Sequence, residues 1–379
     1  MRRALLAVVA LAVALAGPVG ATSTDVRSGE PQIAAASWYL VGEDGAVLAR
    51  GRASEPRAVA SITKLMSAVV VLEHARLTDI VRVSPRAAGI GESTVYLRAG
   101  EERTVAELLR AMLIPSANDA AEALALHVGG GSIDRFVGLM NAKAEELGLS
   151  DTRFENPHGL DEGGHVSSAR DSTTLIRYAL GVTFIRDALQ RSSISLPGGR
   201  TFPTTDDLLG SWGPLVGGKT GHTRDAGWSE AAAAERAGIT VYGTVLGSDT
   251  RGERNDALRT LLSYGLDQYR RVQVIDPGRV YAEAETGYGK PAAELVAERR
   301  IVSTVRSGKA LLERVVAPES LALPVAKGQG AGRVEVYDGN RLVASSNLVA
   351  AEAVTDAGLV AKAKWHVTET ARNLWGMVT

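Results

Sequence analysis

At 379 residues the chain exceeds what one compact core usually fills, so two folded units with short terminal segments are expected. Its formal net charge of −1, with both signs interspersed, gives no electrostatic ground for a nucleic-acid partner. The lack of cysteine excludes disulfides, thiol catalysis and cysteine-ligated metal, which leaves packing to supply stability.

The chain begins Met1-Arg2-Arg3, continues in an apolar run from Ala4 to Ala16, and then reads Gly17-Pro18-Val19-Gly20-Ala21. A basic start, a short apolar stretch and small residues at Val19 and Ala21 read as a secretory signal peptide over residues 1–21, cut after Ala21. A retained anchor is disfavoured, because a membrane span needs about 20 apolar residues. The mature protein is therefore expected to be secreted, in the periplasm or cell envelope.

Residues 36–50 alternate apolar and polar around Glu43-Asp44-Gly45, where Asp-Gly supplies the backbone of a tight turn, so a β-hairpin is predicted. Helical spacing follows over 61–75, 105–113, 116–128 and 133–147, with Gly129-Gly130-Gly131 as a breaker. Residues 239–246 read as a buried strand and 256–269 as a closing helix. Elements of both kinds in irregular order predict an α+β fold, an antiparallel sheet flanked by helices, over 36–270. From 272 to 354 short β-like runs such as 299–305 and 332–336, punctuated by Gly and Pro, predict a small all-β sandwich module. The last stretch, 356–379, returns to helical spacing with Leu359, Ala363, Val367, Leu374 and Val378 in one stripe beside Trp365 and Trp375. Such a helix suits a membrane surface or a docking place on its own protein.

The sharpest local feature is Ser61-Ile62-Thr63-Lys64 at a helix start. One helical turn places the hydroxyl and the amine on one face. A serine is a poor nucleophile until a base takes its proton, and an amine kept neutral by burial and other cations can do so. Alone, the spacing equally describes a helix cap beside a solvated lysine. Ser116-Ala117-Asn118 adds a hydroxyl able to relay a proton and a carboxamide able to hold a substrate amide. Lys219-Thr220-Gly221 adds a positive charge, a hydroxyl for a carboxylate and a glycine that lets backbone pass close to substrate. In this order, with a long gap before the third, the set is specific and is a known combination of β-lactamases and penicillin-binding proteins.

The wider segments Ala60-Ser61-Ile62-Thr63-Lys64-Leu65-Met66, Pro115 to Ala121, Asn156-Pro157-His158-Gly159-Leu160-Asp161 and Gly218 to Thr223 resemble those of the low-molecular-mass D-alanyl-D-alanine carboxypeptidases, serine peptidase family S11. The likeness runs from about Ala36 to Val354 and takes in Lys327-Gly328 and Leu348-Val349-Ala350-Ala351. It implies a β-lactamase/transpeptidase-like catalytic domain, a small β-sandwich and a C-terminal amphipathic helix able to anchor on a membrane. It also implies that Ser61 attacks the bond between two terminal D-alanines of a peptidoglycan stem peptide, with Lys64 as base and Ser116 as proton shuttle. Backbone N–H groups of Ser61 and His222 would form the oxyanion hole and Asn118 would position the acyl portion. Lys219, Thr220 and Arg254 would meet the terminal carboxylate, alongside Gly221. β-Lactam antibiotics would acylate the same serine, and no cofactor or metal is implied. The chain departs from the family at Ile62, at Ala117 and at Asp206-Asp207, where an asparagine is usual.

Rival readings carry less. Gly213 to Thr220 satisfies the phosphate-loop spacing, yet neither a preceding apolar strand nor a following helix is expected there. His158, His165, Asp161 and Glu162 match no helix-face ligand spacing. A serine β-lactamase would need a deacylating glutamate, for which Glu155 and Glu162 sit in family-like segments without that role. A catalytically idle penicillin-binding scaffold would have no reason to keep Ser61, Lys64, Ser116 and Lys219 together.

Overall fold

The computed structural model describes residues 6–13 and 31–375, so Val19 and Ala21 of the expected cleavage site and Val378 of the expected stripe lie outside the described residues. The chain divides into two units, one ending at Gln268 and one running from Tyr269 onward together with the N-terminal strand.

The first unit is built on a five-stranded antiparallel sheet of β1 (Ser37–Gly42), β2 (Val47–Gly51), β3 (Leu215–Thr223), β4 (Gly227–Arg236) and β5 (Ile239–Ser248), in the order β2-β1-β5-β4-β3. The predicted hairpin is β1–β2, turned by Gly45 at φ +78°. Helices cover both faces. At Gly243 a side chain would meet Leu261 and Leu262 of α7 (Arg251–Asp267), whereas the next residue, Thr244, accepts a hydrogen bond from Thr173 of α5 (Ala169–Gly181) at 2.8 Å. Because successive strand residues point to opposite faces, the two helices lie on opposite sides. That double cover explains why Ala231 to Ala234 are all fully buried and why β4 lacks the alternation that marks a half-exposed strand.

A helical layer carries the main core: α1 (Lys64–His74), α2 (Val105–Leu113), α3 (Asn118–Val128) and α4 (Ile133–Glu146), with α6 (Thr183–Leu189) following α5. The expected helix over 61–75 is split into a 3-10 turn, Ala60–Thr63, and α1. The expected helix over 116–128 starts at Asn118, leaving Ser116 before it at φ 67°. The closing helix begins at Arg251 rather than 256, because Thr250 caps it with Glu253 reaching back to the cap N–H. Its earlier start places Arg254 in the first turn.

The second unit starts at Tyr269 and is all β up to Ala350, as expected of the module, with a helix after it. Its six-stranded sheet orders Leu6–Val13, Leu311–Pro318, Gly330–Asp338, Arg341–Ala350, Ala293–Ala297 and Val280–Ala284, and a separate pair joins Tyr269–Ile275 to Ile301–Arg306. Leu6–Val13, inside the run read as a leader, pairs antiparallel with Leu311–Pro318. Ile275, Leu295, Val334, Val336 and Leu348 form its apolar centre. The last helix, α8 (Leu359–Trp375), sets Trp365 and His366 against Tyr288 at 5.3 and 5.7 Å and Lys362 over the same ring, while Leu359, Val360 and Val367 stay exposed. Among the described residues no helix is long and apolar enough to cross a membrane.

Candidate active site

Ser61 and Lys64 meet as the spacing predicts, with Lys64 Nζ 2.6 Å from Ser61 Oγ. The same nitrogen lies 2.7 Å from Asn118 Oδ1 and 2.7 Å from the His158 carbonyl oxygen, and the side chain is fully buried. Both of those oxygens can only accept. A neutral amine satisfies them with its two N–H groups and turns its lone pair to the serine hydroxyl, which is the arrangement of a base. Burial holds the Lys64 ammonium well below the ordinary lysine range, Lys219 adds repulsion, and Glu92 and Asp119 oppose them.

The approach is tight. Gly159, at φ +86°, has Ala60 O 1.9 Å from where a Cβ would stand, so only glycine permits the loop that delivers the His158 carbonyl. On the opposite side β3 passes over Ser61: a Cβ on Gly221 would sit 2.7 Å from Val59 O and 3.2 Å from Ser61 N. Ala60 and Ser116 both hold positive φ without being glycine, at 47° and 67°, strain that packing around the site sustains.

Ser116 faces the third motif. Lys219 Nζ donates to Ser116 Oγ at 3.0 Å and to Thr220 O at 2.9 Å, with Lys219 1% exposed. Burial lowers Lys219 to about 7, with Glu230 and Asp206 pulling upward and Arg254 downward. Two hydroxyl–amine pairs thus stand in one site, close enough for Lys219 to repel the charge on Lys64. Asn118 belongs to it as a holder of Lys64, since its Oδ1 takes the amine and its Nδ2 donates to Gly91 O at 3.1 Å.

Thr220 exchanges a hydrogen bond with Thr205 at 2.7 Å between hydroxyl oxygens. His222 is exposed and stacks on Trp228, ring centres 4.0 Å apart. Arg254 lies under this end of the sheet, 1% exposed, with its guanidinium against Asn255 Oδ1, Asp207 Oδ2 at 3.2 Å and Glu230 Oε2 at 3.2 Å. Asp206 and Asp207, the departure noted in the sequence, are therefore partners of this arginine region and not a passive loop.

A family model described as D-alanyl-D-alanine carboxypeptidase matches residues 24–250, and one described as penicillin-binding protein 5, C-terminal domain, matches 269–356. The D-alanyl-D-alanine carboxypeptidase DacF of Bacillus subtilis is 31% identical over 353 residues, 88% of this chain and 89% of its own. DacC of Escherichia coli is 33% identical over 350 residues, 86% of each. Penicillin-binding protein 5 of Haemophilus influenzae superposes with a TM-score of 0.63 at 28% identity, covering 86% of this chain and 99% of that one. The chain belongs to the D-alanyl-D-alanine carboxypeptidase family.

In this carboxypeptidase the histidines considered for a metal serve the scaffold. His165 Nε2 pairs with Thr63 Oγ1 at 2.7 Å and its Nδ1 accepts from Glu155 N, while burial lowers it to about 4 and lowers His158 to about 3. Both rings are therefore neutral. Glu162 accepts from Asn156 at 2.9 Å and Glu155 from Arg153 at 2.6 Å, engagements with their own loop. The phosphate-loop lookalike lies on the β3–β4 hairpin and has no helix behind it. Glu230 was missed, because a lone glutamate at the head of an alanine run signals no pairing until β4 is laid beside β3.

Proposed function

We propose that this serine D-Ala-D-Ala carboxypeptidase works through an acyl-enzyme on Ser61. Lys64 takes the hydroxyl proton, Ser61 Oγ bonds to the carbonyl between the two terminal D-alanines of a peptidoglycan stem, and the C–N bond breaks. Ser116, oriented by Lys219, relays the proton held by Lys64 to the leaving amine, so D-alanine departs neutral at that nitrogen and Lys64 is again a free base. Water then attacks the ester, returning the proton to Ser61 and freeing the shortened stem. Backbone N–H groups of Ser61 and His222 stabilise the oxyanion, and Lys219, Thr220 and Arg254 receive the terminal carboxylate. A β-lactam presents a strained amide to the same hydroxyl and leaves a persistent acyl-enzyme.

The observation that carries this reading is Lys64 Nζ at 2.6 Å from Ser61 Oγ in a fully buried setting. Fluorescent penicillin labelling paired with D-alanine release tests it: wild type should show both, and Ser61→Ala neither, a loss of roughly 10⁴-fold or more in release. Rapid turnover of the label without D-alanine release would instead indicate a β-lactamase, and labelling without any turnover an idle scaffold.

The basic and apolar start of the sequence supports export through a leader over 1–21, placing the mature enzyme in the periplasm or cell envelope. Exposed Leu359, Val360 and Val367 on α8 support peripheral contact with a membrane surface. Deleting 356–379 should move the protein from the membrane fraction to the soluble fraction, and an unchanged partition would refute the anchor.

A further inference from the structure

Behind β3 lies a group that the acyl-transfer steps leave unused. In register, Thr220 stands opposite Glu230, so both point to the same face of the sheet, the face that α7 covers and where Arg254 lies. Glu230 is fully buried, and a Cβ on Gly218 would come within 2.9 Å of its Oε1. Neither Glu230 oxygen accepts a hydrogen bond from an N–H or O–H fixed in the structure, and Asp206 Oδ2 is likewise unsatisfied. The two carboxyls nevertheless face one another within hydrogen-bonding reach. Two buried carboxylates cannot both stay charged at such contact, and a single proton between them satisfies the orphaned oxygens.

We propose that Glu230, sharing one proton with Asp206, is a positioning residue for the carboxylate subsite, holding the Arg254 guanidinium beneath Thr220 and setting how much positive charge remains to receive the substrate's terminal carboxylate. The inference rests on the reading of Lys219, Thr220 and Arg254 as partners of that carboxylate. Charge counting gives its content. Asp207 binds Arg251 through two contacts, and those two cancel. With Lys219 protonated and one proton on the Asp206–Glu230 pair, the pair carries −1 against Lys219 and Arg254, which leaves +1, the complement of one carboxylate. Without that proton the pair carries −2, Arg254 is fully claimed by Glu230 at 3.2 Å, and nothing is left over. Burial, reinforced by Asp206, pushes Glu230 well above the ordinary carboxyl range, and burial raises Asp206 too, so the singly protonated pair persists at neutral pH.

The test is the pH dependence of KM and kcat for D-alanine release from an N-acylated peptide ending in D-Ala-D-Ala. It is measured between pH 5 and pH 10 on full-length wild type, Glu230→Gln and Asp206→Asn. In wild type KM should climb roughly ten-fold as the pair loses its proton, with the effect on KM rather than kcat. Either single variant holds the pair at a fixed −1, so the rise should shrink in both to the part that Lys219 contributes as it loses its own proton at about 7, and it should be absent for the same peptide ending in a carboxamide. Superimposable KM profiles for wild type and whichever variant folds, judged by its thermal midpoint, would overturn the proposal. Penicillin labelling of wild type, run in parallel, reports separately on the acyl-enzyme, so a failure of that chemistry is not confused with a failure of the Glu230 role.

Discussion

The two units bury polar groups in opposite ways. In the second unit the buried acids have solvent-reaching arginines: Glu313 takes both nitrogens of Arg279 at 2.8 Å, and Glu335 forms an ion pair with Arg333 at 3.0 Å and accepts from Tyr337. In the first unit Lys64, Lys219, Glu230 and Arg254 are at most 1% exposed, and every buried side-chain atom found without a hydrogen-bond partner among the described residues lies there. A unit that only has to fold sheds unpaired charge, because isolated burial costs several kcal/mol per ion. A unit that must hold an amine neutral beside a hydroxyl needs that same cost, since burial is what displaces the amine's proton. The contrast places the buried amines and unpaired carboxyls, and the chemistry they allow, in the first unit.

Replacing Lys64 by Met should break the contrast most severely. It removes the base while filling a similar volume, so D-alanine release and penicillin acylation should fall roughly 10³-fold or more with the fold retained. In wild type the acylation rate should rise with pH as Lys64 loses its proton and reach its plateau well below the ordinary lysine value of about 10.4. A plateau only at that ordinary value would mean the amine is not displaced by its surroundings. Leu348→Ala, at the fully buried centre of the second unit, should lower that unit's stability by about 2–5 kcal/mol in denaturant unfolding. Penicillin labelling at the first unit should persist, and its loss would show that the units are not separable in function. Smallest of all, Lys327→Ala removes an exposed ion pair with Glu352 and should change stability by less than about 1 kcal/mol.

The three short motifs were legible because each is a run of three or four neighbouring residues, and in the first a 3-10 turn brings Ser61 and Lys64 together whatever the rest of the chain does. The hairpin at Gly45, helix α2 and the all-β character of the second unit were legible for the same reason, periodicity and turn chemistry being properties of adjacent residues. Helix α5 and strand β4 were not. The alanines of β4 show no alternation, because both faces of the sheet are covered, and that cover is supplied by elements far away in sequence.

Residue identity and spacing by themselves determined that a serine, an amine, a second hydroxyl and a second cation were present in the order that acyl transfer needs. Only the tertiary structure decided that these two hydroxyl–amine pairs meet in one site, that two carbonyl oxygens direct the lone pair of Lys64 at Ser61, and that Glu230 and Asp206 meet behind Thr220. Protonation state depends on burial and on neighbours brought from distant parts of the chain, and those become defined only when β3, β4 and α7 close around them.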